Sequence, residues 1–225
     1  MPWRDWIRTV EIEPSLYAAD FSRLGEQVED LCRCGCRIFH FDVGDGHFVE
    51  PVTMGPIVLK DVAPIVHRYQ GAMDVHLMVE NPVKYFEPVA AAGGDSVTFH
   101  YEAVDDVATT VRAAREHELQ VGIAFNPESE PEDVAAVSGD ADIVLCMGIH
   151  PGYSGQPVRE ETFERVSRLR AALPEHIFIQ VDGGVGPDNV RELFERGTRL
   201  LVAGSAIFAR EDLPRAYRRL VQALA

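Results

Sequence analysis

The chain has 225 residues, 46% hydrophobic and 25% charged, the balance of an ordinary soluble globular protein and a length that suits one large domain. With 36 acidic residues against 21 basic ones the net charge is −15. That excludes nucleic-acid and anionic-membrane binding as the main task, since both need positive charge facing phosphate. An anionic ligand would have to be held by local dipoles or a metal ion, because the overall field repels it.

The opening Met1-Pro2-Trp3-Arg4-Asp5-Trp6 carries no apolar signal core, and no run approaches membrane-spanning length. A cytoplasmic protein with reduced thiols is expected. Residues 1–8 read as an N-terminal extension in which Trp3 and Trp6, three apart, share one face of a helical turn; the expected catalytic body is 9–225. A first strand is predicted at Thr9–Ser15. Phe21, Leu24, Val28 and Leu31 then share one helix face. The run Cys32-x-Cys34-x-Cys36 lacks the two-residue gaps of zinc knuckles and reads as small buried residues. A strand follows at Arg37–Asp42, then a segment, Thr53–Arg68, whose periodicity Pro56 and Pro64 interrupt. Further strands are expected at Ala72–Met78, Asp95–His100, Gln120–Asn126 and Asp142–Met147. Val158, Phe163, Val166 and Leu169 mark another helix face. Strands at Ile177–Asp182 and Arg199–Ala203 and a last helix face of Tyr217, Leu220, Val221 and Leu224 complete the pattern.

Eight strands alternating with helices imply parallel βαβ units. An open doubly wound sheet would place its glycine-rich turn after the first strand. Here that strand ends in Pro14-Ser15-Leu16-Tyr17, and the glycines follow strands six, seven and eight. This placement predicts an α/β fold of the single-domain (β/α)8 barrel type, with its chemistry at the C-terminal ends of the strands.

Polar residues interrupt the apolar strands at those ends. His40 and Asp42, two apart, project to one face of their strand; His76 and Asp182 stand alike on two others. Two imidazoles and two carboxylates can converge on one divalent cation (Zn, Fe, Mn or Co), with the carboxylates available for acid/base work.

A wider set of segments runs in order along the chain: Pro14-Ser15 with Asp20-Phe21, His40-x-Asp42, Asp45-Gly46-His47-Phe48-Val49, Gly55-Pro56, Asp74-Val75-His76-Leu77-Met78, Asn81-Pro82 and His100-x-Glu102. It continues through Asn126-Pro127, Met147, Pro151-Gly152-Tyr153-Ser154-Gly155-Gln156, Val181-Asp182-Gly183-Gly184-Val185 and Ala203-Gly204-Ser205-Ala206-Ile207-Phe208. As an ordered set, from about Pro14 to Phe208, it resembles the ribulose-phosphate 3-epimerase family. The resemblance implies a metal-dependent epimerase of carbohydrate metabolism (the pentose phosphate pathway), acting at C3 of D-ribulose 5-phosphate. It implies His40, Asp42, His76 and Asp182 as metal ligands, Asp42 as proton acceptor and Asp182 as donor. Substrate and phosphate contacts would fall on Ser15, His76, Met78, Met147, Gly152, Tyr153, Ser154, Gly155, Gly183, Gly184, Gly204 and Ser205, with Pro151–Gln156 as a lid. A small-molecule ketose phosphate is the expected partner, and a homo-oligomer the expected assembly. His47 and His100 are open between site wall and structural hydrogen bonding.

Several positions depart from that family's pattern. Gly44 stands where Met is usual, Glu50-Pro51 where Pro-Asn is usual, and His150 and Ser154 replace Asn or Glu and Gly. Gly44 is expected to leave extra room, which would suit another ketose phosphate such as allulose 6-phosphate. A catalytically silent sugar-phosphate-binding barrel is the remaining alternative.

Overall fold

The computed structural model describes residues 2–224. Its eight strands are β1 (Glu11–Pro14), β2 (Ile38–Gly44), β3 (Ala72–Met78), β4 (Ser96–His100), β5 (Gln120–Phe125), β6 (Ile143–Met147), β7 (Phe178–Asp182) and β8 (Thr198–Ala203). All are parallel, ordered β1-β8-β7-β6-β5-β4-β3-β2, and the Ser15–His40 bridge brings β1 against β2 to close the ring. The fold is a (β/α)8 barrel. Nearly every strand residue is buried, because helices cover the outside while side chains fill the inside, so apolar residues occupy both faces. The polar exceptions among them therefore stand out as inward-facing groups.

The helices are α1 (Trp3–Trp6), α2 (Leu24–Arg33), α3 (Pro56–Arg68), α4 (Val83–Ala91), α5 (Val107–Arg115), α6 (Pro131–Val137), α7 (Glu161–Ala172), α8 (Val190–Glu195), α9 (Ser205–Phe208) and α10 (Leu213–Ala223). The ambiguous Thr53–Arg68 segment is helical from Pro56. That proline sits in the first turn, where no N–H is needed, and the interior Pro64 is carried by buried Leu59, Val62, Ala63 and Val66. Among the described residues no helix is long and apolar enough to cross a membrane.

Three expected helix faces need correction. Phe21 is 52% exposed, because residues Phe21–Arg23 form a separate 3-10 turn started by Asp20, whose side chain accepts from the Ser22 N–H; the α2 stripe begins at Leu24. Val158 precedes α7 rather than belonging to it. Val221 is 43% exposed, so the core stripe of α10 rests on Tyr217 and Leu220, with Leu224 packed beside them.

Trp3 and Trp6 are 2% and 3% exposed and meet edge to face, with centroids 5.1 Å apart. They cluster with Ile7, Ile38, Ala72, Ile143 and Leu200. Ile38, Ala72 and Ile143 are the first residues of their strands, so the indoles plug the N-terminal mouth, opposite the strand ends that carry the polar groups. Met1 of the expected extension lies outside the described residues. Cys32, Cys36 and Cys146 are buried and Cys34 half-buried, all as free thiols. Burial pushes Cys32 up to about 12 and Cys146 to about 11, so both stay protonated.

Candidate active site at the C-terminal mouth

The parallel register delivers polar side chains in two layers. His40 of β2 pairs with Asp74 of β3, and two residues further on Asp42 pairs with His76, so the same alternation points all four inward. Gln180 and Asp182 repeat that spacing on β7, and Glu13 and Ser15 repeat it at β1. Asp42, His76 and Asp182 form the upper layer and His40, level with Asp74, joins them through Nε2; the possible ligand atoms of all four lie within 4.8 Å of one another. His40 Nε2 is 3.4 Å from Asp42 Oδ1, His76 Nδ1 is 3.3 Å from the same oxygen, and His76 Nδ1 is 3.9 Å from Asp182 Oδ2.

This set fits a divalent cation on its own chemistry. His40 Nδ1 donates to Asp74 Oδ2 at 2.9 Å, which leaves Nε2 buried with no hydrogen-bond partner and aimed at the carboxylates. A buried ring nitrogen with a lone pair and no donor opposite is what a metal ligand looks like before the ion is considered. Mixed imidazole and carboxylate donors suit a transition metal such as zinc, iron, manganese or cobalt.

The lower layer holds the upper one in place. Asp74 also accepts from Ser96 Oγ at 2.7 Å and from Gln180 Nε2 at 2.8 Å, and Gln180 donates to Glu13 Oε2 at 2.6 Å. Ser15 Oγ donates to Asp42 Oδ2 at 2.7 Å, fixing the carboxylate from the side of β1. The electrostatics are divided. Burial and the neighbouring Asp42 push Asp182 up to about 7, and burial, with the Asp74 charge adding to it against the pull of His40 and Gln180, takes Glu13 to about 7. Burial opposes ionisation of Asp42 too, but the His40 and His76 rings outweigh it and hold that carboxyl well below the usual range. Burial lowers His76; for His40 it is overcome by Asp42, Asp74 and Glu13. A cation among the carboxylates would draw both toward the ionised form, with Asp182 still the more readily protonated of the two.

Above the cluster opens a cleft of about 360 Å³. Among the sequence-predicted residues, Ser15, Asp42, Met78, Met147, Gly152, Tyr153, Ser154, Gly155, Asp182, Gly183, Gly184, Gly204 and Ser205 line it, whereas His40 and His76 are fully buried beneath. His47 is exposed and does not line the cleft; its backbone N–H caps Asp45. His100 is fully buried and also off the cleft wall, hydrogen-bonded to His76. Gly183 and Gly184 adopt φ of +106° and +73°, and a Cβ on Gly184 would lie 2.1 Å from the Val158 nitrogen, so the main chain there excludes other residues. Gly204 differs. Its φ is −94°, and an added Cβ would meet Ala18 Cβ at 3.3 Å and Ser154 Oγ at 3.4 Å, so what glycine keeps open there is space at the cleft.

The extra room expected at Gly44 is not there. Its Cβ would stand 2.8 Å from Pro51 O, 3.0 Å from Val49 Cγ2 and 3.2 Å from Thr53 Cγ2. The chain's own 45–53 loop occupies the space, tied down by Thr53 Oγ1, which donates to Asp42 O and accepts from Gly44 N–H, both at 2.7 Å. The same loop meets the expected lid: Tyr153 OH donates to Glu50 Oε2 at 2.5 Å, and His150 Nε2 lies 3.3 Å from Glu128 Oε1 on another side.

Sequence reasoning missed Glu13, Asp74 and Gln180, although a signal was present. Asp74 and Gln180 each stand two residues before a singled-out residue, in the spacing already used for His40 and Asp42. It also missed Arg210, the only Lys or Arg along the cleft wall among the described residues. No strand or turn periodicity marks that residue, which follows α9 at the surface.

A family model described as the Ribulose-phosphate 3 epimerase family matches residues 11–208. The ribulose-phosphate 3-epimerase of Bacillus subtilis is 33% identical over 211 residues, covering 92% of this chain and 96% of that one. The Escherichia coli ribulose-phosphate 3-epimerase is 36% identical over 204 residues, covering 89% and 90%. Among solved structures, orotidine 5'-phosphate decarboxylase from Pyrococcus horikoshii superposes with a TM-score of 0.69 at 15% identity, over 95% of this chain and 98% of that one, a likeness of fold alone.

Proposed function

The chain belongs to the ribulose-phosphate 3-epimerase family, and from that premise we propose that it interconverts D-ribulose 5-phosphate and D-xylulose 5-phosphate, with Asp42 and Asp182 moving the proton at C3. It is an isomerase acting on carbohydrates, a ketose-phosphate epimerase. The observation that supports the finer reading best is the convergence of Asp42 and Asp182, from strands on different sides of the barrel, beneath one cleft. Residues 9–225 are read as the catalytic barrel and 1–8 as its extension.

The hydrogen on C3 lies beside the C2 ketone, so its removal gives an enediolate whose charge spreads onto oxygen. In this reading Asp42 accepts that proton on one face of the sugar and Asp182 delivers its own proton to the opposite face, which inverts C3. Ser15 orients Asp42 through its 2.7 Å bond, leaving the other carboxylate oxygen toward the cluster. His40, Asp42, His76 and Asp182 would hold a divalent cation, which when bound supplies Lewis-acid stabilisation of the negative charge that develops on the substrate oxygens. Met78 and Met147 offer an apolar wall that excludes water from a planar intermediate. Gly183, Gly184, Gly204 and Ser205 can bring backbone N–H groups close to the phosphate, and Arg210 adds the cation that the chain otherwise lacks there.

The test uses C3-deuterated ribulose 5-phosphate on protein of measured metal content. Deuterium should pass to solvent as xylulose 5-phosphate forms, and chelation should stop both. No exchange by metal-replete protein would sink the reading. Faster turnover of allulose 6-phosphate would replace the substrate; the filled space at Gly44 gives that alternative no structural support.

A further inference from the structure

Behind the four-residue cluster runs a polar chain that the proposed mechanism leaves unused. His76 Nε2 and His100 Nε2 are 2.9 Å apart, and both rings are fully buried. Their planes lie within 19° of each other with centroids 5.0 Å apart, so the rings meet edge to edge through these nitrogens. His100 Nδ1 lies 3.3 Å from Glu102 Oε2. The other oxygen of Glu102 accepts from the Asn126 backbone N–H at 2.8 Å and from Ser129 Oγ at 2.5 Å. Phe48 packs on the His100 ring, with centroids 4.7 Å apart. Every member is thus held by something other than the cluster it serves.

Two ring nitrogens at this separation share a single hydrogen. Which ring owns it decides what His76 presents at its other nitrogen, because a neutral imidazole has one N–H and one lone pair. The Glu102 carboxylate only accepts, so the hydrogen on His100 belongs on Nδ1, and His100 Nε2 is left as a lone pair. His76 must then donate from Nε2 and keep a lone pair on Nδ1. That Nδ1 is the atom 3.3 Å from Asp42 Oδ1 and 3.9 Å from Asp182 Oδ2, facing the cluster. The reverse order would set a lone pair of His100 against the carboxylate and place an N–H where a ligand atom is needed.

We propose that Glu102, acting through His100, is a positioning residue that fixes the His76 tautomer with Nδ1 bare toward a divalent cation. The inference rests on the reading of His76 as a metal ligand. It gives the two imidazole ligands separate outer carboxylates: Asp74 acts on His40 directly, at 2.9 Å, and Glu102 acts on His76 through an intervening ring. Partners of this kind orient a ligand and raise its affinity for metal without touching it.

The experiment uses the full chain labelled with nitrogen-15 and zinc alone as the probe. Long-range proton–nitrogen spectra report each histidine tautomer, and competition with a chromophoric chelator reports zinc affinity. In the wild type His100 should carry its hydrogen on Nδ1 and His76 on Nε2. In Glu102→Gln, whose amide can either donate or accept, the His76 tautomer should become mixed and zinc affinity should fall about tenfold. Finding the wild-type His76 hydrogen on Nδ1 overturns the proposal, and that spectrum decides the matter even if the variant fails to fold. Unchanged zinc affinity and tautomers in Glu102→Gln, beside lost affinity in His76→Ala, overturn the relay alone. Unchanged affinity in His76→Ala overturns the metal reading, and the relay with it.

Discussion

At the scale of single residues, the two aspartates differ in what surrounds them. Asp42 is clamped by Ser15 and two imidazoles, whereas Asp182 is pushed toward neutrality by burial and by Asp42 itself. Asp42→Asn and Asp182→Asn should each lower kcat/KM at least ~100-fold while circular dichroism still reports a folded barrel, since asparagine keeps the shape but cannot exchange the proton. Activity within about tenfold of wild type, ~1.4 kcal/mol in barrier, would remove that residue from proton transfer. Arg210 supports a different expectation. As the only basic side chain along the cleft among the described residues it should contribute to phosphate affinity, so Arg210→Gln should raise KM about tenfold, ~1.4 kcal/mol, with kcat little changed. Arg210→Lys should recover part of the loss. An unaltered KM in steady-state assays would place the phosphate away from this residue.

Among elements, the loops after β2 and β6 act as one unit. Tyr153 OH donates to Glu50, and Gly152 packs close enough that a Cβ there would be 3.0 Å from Val49 Cβ. Glu50 and Pro51 therefore differ from the family pattern where they meet the lid. Tyr153→Phe and Glu50→Ala should each raise KM by a similar factor, and the double variant should be no worse than either alone, because both remove one shared bond. Additive losses in that double-mutant cycle would mean that the two side chains serve the substrate independently. The expected lid is thus braced by the loop that also fills the space beside Gly44.

Across the whole molecule, the barrel has an open, polar mouth and a plugged floor. Trp3 and Trp6 are buried within their own barrel, which leaves little of either ring to form a contact with a second copy. Two indoles burying roughly 200 Å² each at ~25 cal/mol/Å² set an upper limit near 10 kcal/mol for the plug. Deleting residues 1–7 should therefore lower Tm by about 10 °C or more without moving KM for the sugar phosphate. A shift to a smaller species in sedimentation would show that the extension also serves assembly. An unchanged Tm would show that the floor is stable without it.

The sequence by itself determined the number of strands, their order as βαβ units and the convergence of His40, Asp42, His76 and Asp182. Each of these follows from local periodicity: apolar runs mark strands, and polar residues two apart mark an inward face. The same local rule could have reached Asp74 and Gln180, which stand two residues before His76 and Asp182. Only the tertiary structure decided that Gly44 adjoins no open space, that Phe21 leaves the α2 stripe, and that Arg210 reaches the cleft. It alone joined Glu50 to Tyr153 and Glu102 through His100 to His76. Those facts depend on atoms brought together by barrel closure from distant parts of the chain. A side chain's spacing tells which way it points, but what it meets there is set by the packing of every other element.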